Sequence, residues 1–284
     1  MDYENRQPPE GINVTREHPL RQFLRLAIAA AVLLVIVVVV LQFTGAFLAK
    51  RIPFAVERRV IESMDIEFGE PGASPEMVTY LRVQAARLSA EMPMPDGMRV
   101  TVHYNPAETF NAFATIGGNL IFYRGLLERL PHENALAMVL AHEIAHVLHR
   151  DPVAGLGGGL ASAATLAMVT GNAGAAGNML GKAGVLTGME FTRRMEEEAD
   201  RAALAAVAAV YGHVAGADTL FALIAETRSR SRVPDWLGRF TSTHPLDADR
   251  IRDIAARAEA SGWSTVGETT PLPAGFADWL AAGD

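Results

Sequence analysis

Cysteine is absent from all 284 residues. This excludes disulfides and thiolate metal ligands and leaves either redox compartment open. An excess of basic charge is also missing: 32 acidic residues outnumber 25 basic ones for a net charge of −7, and no basic motif offsets it, so no nucleic-acid partner is expected. No internal repeat is visible. Two long stretches lack charge altogether, residues 26–49 and residues 152–181.

The first of these reads AIAAAVLLVIVVVV through its middle. At about 1.5 Å per residue it reaches roughly 36 Å, enough to cross a bilayer with some tilt. The run is too long for the apolar part of a cleaved leader. No clean small-x-small cleavage site follows it either, because Phe47 stands between Ala46 and Leu48. A single membrane anchor over 26–49 is therefore expected, with the lipid bilayer as a partner. Arg6, Arg16, Arg21 and Arg25 precede it, and Lys50, Arg51, Arg58 and Arg59 follow it. This near tie leaves the orientation unreadable. In the second uncharged stretch, glycines at 155, 157, 158, 159, 171, 174, 177 and 181 leave only 160–170 uninterrupted. That is too short to span a membrane. Helices packed closely over a buried site are expected there, rather than a second membrane segment.

The remaining chain reads as mainly helical α+β. Residues 1–25 are a polar tail, 50–74 a linker, 75–260 the main domain and 261–284 an irregular C-terminal tail. Ser74 is placed to cap a helix from about 75 to 92. MRVTVHY (98–104) alternates like a strand. NAFATIGGNLIFY (111–123) reads as two short strands around Gly117-Gly118. Helices are expected at roughly 132–150 and 187–210, with another ending near 260.

Chemistry concentrates in AHEIAHVLHRDP, residues 141–152. His142 and His146 are four apart, one helical turn, so both imidazoles can grip one metal ion. Glu143 lies beside them, positioned to act as a general base on a water molecule. A catalytic zinc of this kind wants a third protein ligand and one open position. The pattern HExxHxxGxxH fails, because His149 stands at its glycine and Pro152 at its last histidine. His149 itself is roughly 10 Å along the helix axis from His142, too far to share the ion. An acid from elsewhere is the remaining candidate. TRRMEEEAD (192–200) offers Glu196 and Asp200 at i, i+4 on one helix face. Asp200 could fix the tautomer of a metal-bound histidine.

HEIAH followed some fifty residues later by TRRMEEEAD resembles the M48 family of zinc metallopeptidases, within the gluzincins. Thr192, Arg193, Glu196, Ala199 and Asp200 match that family's second motif in register. NAFATIGG (111–118) and HPLDADRI (244–251) match two further stretches, so the resemblance covers about residues 75–255. It implies a zincin-like peptidase domain with one Zn2+ per chain, held by His142, His146 and Glu196, with Asp200 behind them and Glu143 as base. It also implies that Asn111, Ala112 and Phe113 form an exposed edge strand to which a protein or peptide substrate adds. His244 and Arg250 would lie near the cleft, one of them steadying the oxyanion, or His244 closing the metal's open position.

The implied activity is membrane-anchored zinc endopeptidase, and single-anchor relatives suggest quality control of misfolded proteins. The expected setting is a single-pass bacterial inner-membrane protein with its catalytic domain in the periplasm. A tethered chaperone or adaptor with a vestigial site is the rival reading, and an intact Glu143 argues against it. A multi-span protease would need more apolar spans than the one clear segment.

Overall fold

The computed structural model describes residues 18–64, 66, 68, 73–171, 191–229, 244 and 248–282. The expectations for the first 17 residues, for 172–190 and for 245–247 of HPLDADRI lie outside the described residues.

α1 runs Pro19–Ala49, starting earlier than the uncharged run does. His18 caps it by accepting from the Leu20 amide, and Pro19 takes the first helical position, where a missing N–H costs nothing. It is one helix long and apolar enough, by length and composition, to cross a membrane. Most of its large apolar side chains are exposed, Phe23, Val35 and Phe43 among them. The expected linker contains a second helix, α2, Phe54–Ser63. Its buried face is Phe54, Glu57 and Ile61; the acid in that stripe breaks the apolar pattern and hides the helix from a sequence reading. The Glu57 carboxylate takes the Gly117 amide at 3.1 Å and an ion pair from Arg150.

The main core forms around α5, Glu133–Leu148, in which every residue from Glu133 to Val147 is buried. α3, Pro75–Ala90, packs on it and is capped by Ser74 as expected. Strands β1 (Thr101–Asn105), β2 (Ala112–Thr115) and β3 (Asn119–Tyr123) form a sheet of order β1-β3-β2. β1 runs parallel to β3, with Tyr104 opposite Phe122. β2 runs antiparallel to β3, with Phe113 opposite Ile121. The turn between β2 and β3 needs its glycines: Gly117 and Gly118 have φ of +74° and +79°, and a Cβ on Gly118 would meet the Arg99 carbonyl. β2 is an edge strand, but all four of its residues are buried. The expected exposure of Ala112 and Phe113 is therefore not met, because Phe113 joins a small cluster with Ala49, Ile61 and Val153.

After the four-residue helix α4 (Arg124–Leu127) and α5, α6 covers Asp151–Thr170. Its first turn, 151–154, is buried against α5, and Ala163 and Thr165 are buried further along. Over the described residues its main neighbour is α1, whereas the sequence expectation put it over the buried site; the part of that expectation on 172–181 lies outside the described residues. The small residues serve this contact. A Cβ on Gly45 would sit 2.6 Å from the Gly157 carbonyl oxygen, and one on Gly157 would sit 2.6 Å from the Ala49 Cβ. α7 (Arg193–Tyr211) packs against α5, and α9 (Ala248–Ala260) packs against both α7 and α8 (Thr219–Ser229). The C-terminal tail is not irregular throughout. It ends in α10, Phe276–Ala281, which buries Phe276 and Leu280 in the main core.

Candidate metal centre

α5 brings His142, Glu143 and His146 into the interior, and α7 brings Glu196 and Asp200. Thr192 caps α7 by accepting from the Met195 amide, which sets the start of the helix and hence the face on which Glu196 lies. His142, His146, Glu196 and His244 are all buried, and each offers a ligand atom within 4.8 Å of the others. His149 is outside this group; it caps the end of α5.

His142 Nε2 and His146 Nε2 point at each other, 3.0 Å apart. Each ring's other nitrogen meets a carboxylate. His142 Nδ1 is 2.9 Å from Asp200 Oδ1, and His146 Nδ1 is 3.0 Å from Asp151 Oδ2. An ionised carboxylate only accepts, so it fixes the proton on Nδ1. Two neutral rings would then face each other with lone pairs alone. A cation satisfies both nitrogens at once, and Glu196 lies in reach, its oxygens 3.4 and 3.5 Å from the two Nε2 atoms. These donors fit a divalent metal ion.

The electrostatics carry the same signature. Burial disfavours charge on His142, but hydrogen bonds to Asp200 and Glu196 outweigh it and push the group up to about 10. Burial likewise opposes, and Asp151 with Glu196 overcomes, the charging of His146. Burial works against the Glu196 carboxylate too, yet the surrounding histidines, His244 first, hold it well below the usual range. Asp200 falls to about 2 against its own burial because His142 and Arg250 face it. In the metal-free protein, protons take the place a cation would fill.

Arg250 is buried and binds Asp200 with two hydrogen bonds of 2.8 and 2.9 Å. Its third nitrogen is 2.7 Å from Glu196 Oε2. Arg250 thus grips the two acids of α7 and lines the same small cavity as Glu143 and His244. His244 is closer to the reacting region, with Nδ1 3.1 Å from Glu196 Oε1 and Nε2 3.4 Å from Glu143 Oε1. Glu143 is 1% exposed, and its Oε2 has no hydrogen-bond partner among the described residues. A cavity beside it, bounded by Met138, Val139, His142, Leu220 and Phe221, has about 20 Å³ of room, on the order of one water molecule.

Sequence reasoning missed two features. Phe191 stacks on His146 with ring centroids 4.0 Å apart, and nothing in its sequence context signals this. Asp151 did carry a signal: it is the only acid at the mouth of a thirty-residue uncharged run. Asn111, Ala112 and Phe113 are not among the cluster's donors. Ala112 and Phe113 lie on the edge strand β2, which packs beside α5, and Asn111 lies just before it.

A profile of Peptidase family M48 matches residues 76–258. The beta-barrel assembly-enhancing protease of Escherichia coli strain K12 is 32% identical over 185 residues, which covers 57% of this chain and 37% of that protein. The Yersinia pestis protein of the same name is 30% identical over 200 residues, 65% of this chain and 39% of its own length. The mitochondrial metalloendopeptidase OMA1 of Schizosaccharomyces pombe is 28% identical over 197 residues, 66% of this chain and 56% of its own length. The chain therefore spans under two fifths of the length of these bacterial relatives. With the match running across α3, the sheet, α5, α7 and α9, and with the buried histidine–glutamate cluster at its centre, the chain belongs to peptidase family M48.

Proposed function

We propose that the chain is a membrane-anchored zinc endopeptidase whose domain, about residues 75–260, hydrolyses peptide bonds in proteins at a membrane. The observation that carries this reading is the meeting of the two Nε2 atoms at 3.0 Å beside a buried, unpartnered carboxylate oxygen of Glu143. In this reading His142, His146 and Glu196 hold one zinc ion, which when bound supplies Lewis-acid polarisation of a water molecule and of the scissile carbonyl. Glu143 takes the proton from the attacking water and delivers it to the leaving amine. Asp200 and Asp151 hold the two imidazoles with Nδ1 protonated. Arg250 steadies Glu196, and His244 is the donor nearest the developing oxyanion.

Glu143→Gln should leave the zinc content unchanged and lower peptide hydrolysis by at least about 100-fold. Hydrolysis at the wild-type rate would overturn the reading.

His244 supports a second state of the same site. Its contact with Glu196 puts it among the four donors, where it would close the position that substrate needs. His244→Ala should then raise cleavage of a peptide that the wild type cuts poorly, and an unchanged or lower rate would exclude the closed state. For the setting, we place α1 in a bacterial inner membrane and the peptidase domain on its periplasmic side. The names of the bacterial relatives support this, since they link those proteins to the assembly of β-barrels.

A further inference from the structure

Lys50 is the first residue after α1 and caps its C-terminus. Its Nζ reaches across 101 positions of sequence to Asp151 Oδ1 at 2.9 Å. Asp151 is fully buried, and its other oxygen receives His146 Nδ1 at 3.0 Å. One carboxylate therefore has one oxygen on a metal-binding imidazole and the other on the end of the apolar helix. This placement has structural causes. Arg150 adopts a left-handed φ of 63°, which ends α5 and folds Asp151 back beneath His146. α6, which begins at Asp151, then meets α1 through Gly45 and Gly157 at backbone distance. Larger residues at that crossing would push Lys50 out of reach of Asp151.

We propose that Asp151 is a positioning residue for His146 and that Lys50 locks Asp151 in place, so that the anchor helix is a structural part of the metal centre and more than a tether. The inference rests on the zinc-site reading above. A carboxylate with two oxygens can rotate about its last bond. With Lys50 holding Oδ1, only Oδ2 faces the imidazole, and the ring keeps its Nδ1 proton and its Nε2 lone pair toward the ion. Without Lys50, a buried carboxylate oxygen loses its partner, which is costly. The group regains a partner by turning, and that change releases the ring.

Transfer of zinc to a chromophoric chelator tests this on the full chain in detergent, with the absorption bands of the cobalt-substituted protein as a second readout. Loss of an outer carboxylate on a metal-binding histidine typically costs about 10–100-fold in metal affinity, and Asp151→Ala should fall in that range. Lys50→Met should lose zinc several-fold faster and shift the cobalt bands, and Lys50→Arg should restore both. Arg51→Met, which removes the neighbouring charge but no contact with Asp151, should behave as wild type. Far-ultraviolet circular dichroism of each metal-free variant separates site loss from misfolding. If Lys50→Met releases zinc at the wild-type rate with unshifted cobalt bands, the lock is wrong. If Glu196→Ala also keeps its zinc, the metal-site reading itself fails, and the two failures are told apart by that variant.

Discussion

Glu196, Glu197 and Glu198 are adjacent in sequence and differ in fate. Glu196 is buried against the two imidazoles, whereas Glu197 and Glu198 are only half-buried and Glu198 pairs with exposed Arg194. Zinc content should therefore be lost in Glu196→Ala and kept in Glu197→Ala, as read by metal analysis of purified protein. The pH response follows from His142 and Asp200. A histidine raised to about 10 in the folded, metal-free protein stabilises it fully below its ordinary value of about 6.5 and loses that contribution as pH climbs toward 10. Asp200, held down to about 2, acts in the opposite sense: its contribution is present above about pH 4 and is lost as pH falls toward 2. In the zinc-site reading proposed above, the metal would replace the histidine proton, so the alkaline decline would belong to the metal-free form alone. The melting temperature of the metal-free protein should drop between pH 7 and pH 10 while that of the zinc-loaded protein holds. Parallel curves would remove His142 from the site. At this scale the sequence was most legible where metal chemistry fixes spacing, at His142, Glu143, His146 and the i, i+4 pair Glu196 and Asp200. Asp151 escaped because its placement depends on a left-handed residue at Arg150, a conformation that an arginine does not announce.

Among the elements, the turn between β2 and β3 gives the sharpest test. Gly118 combines a positive φ with a carbonyl where a side chain would go, whereas Gly97 has φ of +80° and open space. Gly118→Ala should cost more than the 1–3 kcal/mol typical of backbone strain, and Gly97→Ala about 1 kcal/mol. Denaturant unfolding compares them, and equal losses would overturn the steric argument. Helix periodicity made α3 and α5 readable within a few residues and the end of α7 within one, while α7 starts at Arg193, six residues after the expected 187. α2 and α10 were not readable. α2 hides a glutamate in its inner stripe, and α10 is a six-residue helix whose order comes from tertiary burial of Phe276 and Leu280. The glycine-rich α6 was read as packed closely, and it is, but its neighbour is α1. Composition reveals that two backbones can approach and says nothing of which two.

For the whole molecule, the exposed apolar surface of α1 predicts the behaviour of the full chain in membranes. It should resist alkaline carbonate extraction, and Val37→Arg, at an expected insertion cost of about 3 kcal/mol, should move part of it into the soluble fraction. The lack of cysteine makes topology easy to measure. Val266 is 82% exposed, so Val266→Cys should react with an impermeant maleimide added to the periplasmic side of intact inner membranes. Reaction only after lysis would place the domain in the cytoplasm. The small cavity beside Glu143 bears on rate as well. Among the described residues the space beside Glu143 is about 20 Å³, on the order of one water molecule, so in the proposed peptidase reading a substrate would enter only after an opening. The open fraction then multiplies the apparent affinity for every substrate alike. Raising that fraction from about 1% to about 10% would speed cleavage of dilute substrate roughly tenfold with the same ligands and the same base. In the proposed peptidase reading, turnover would then depend as much on how often the molecule opens as on what it cuts.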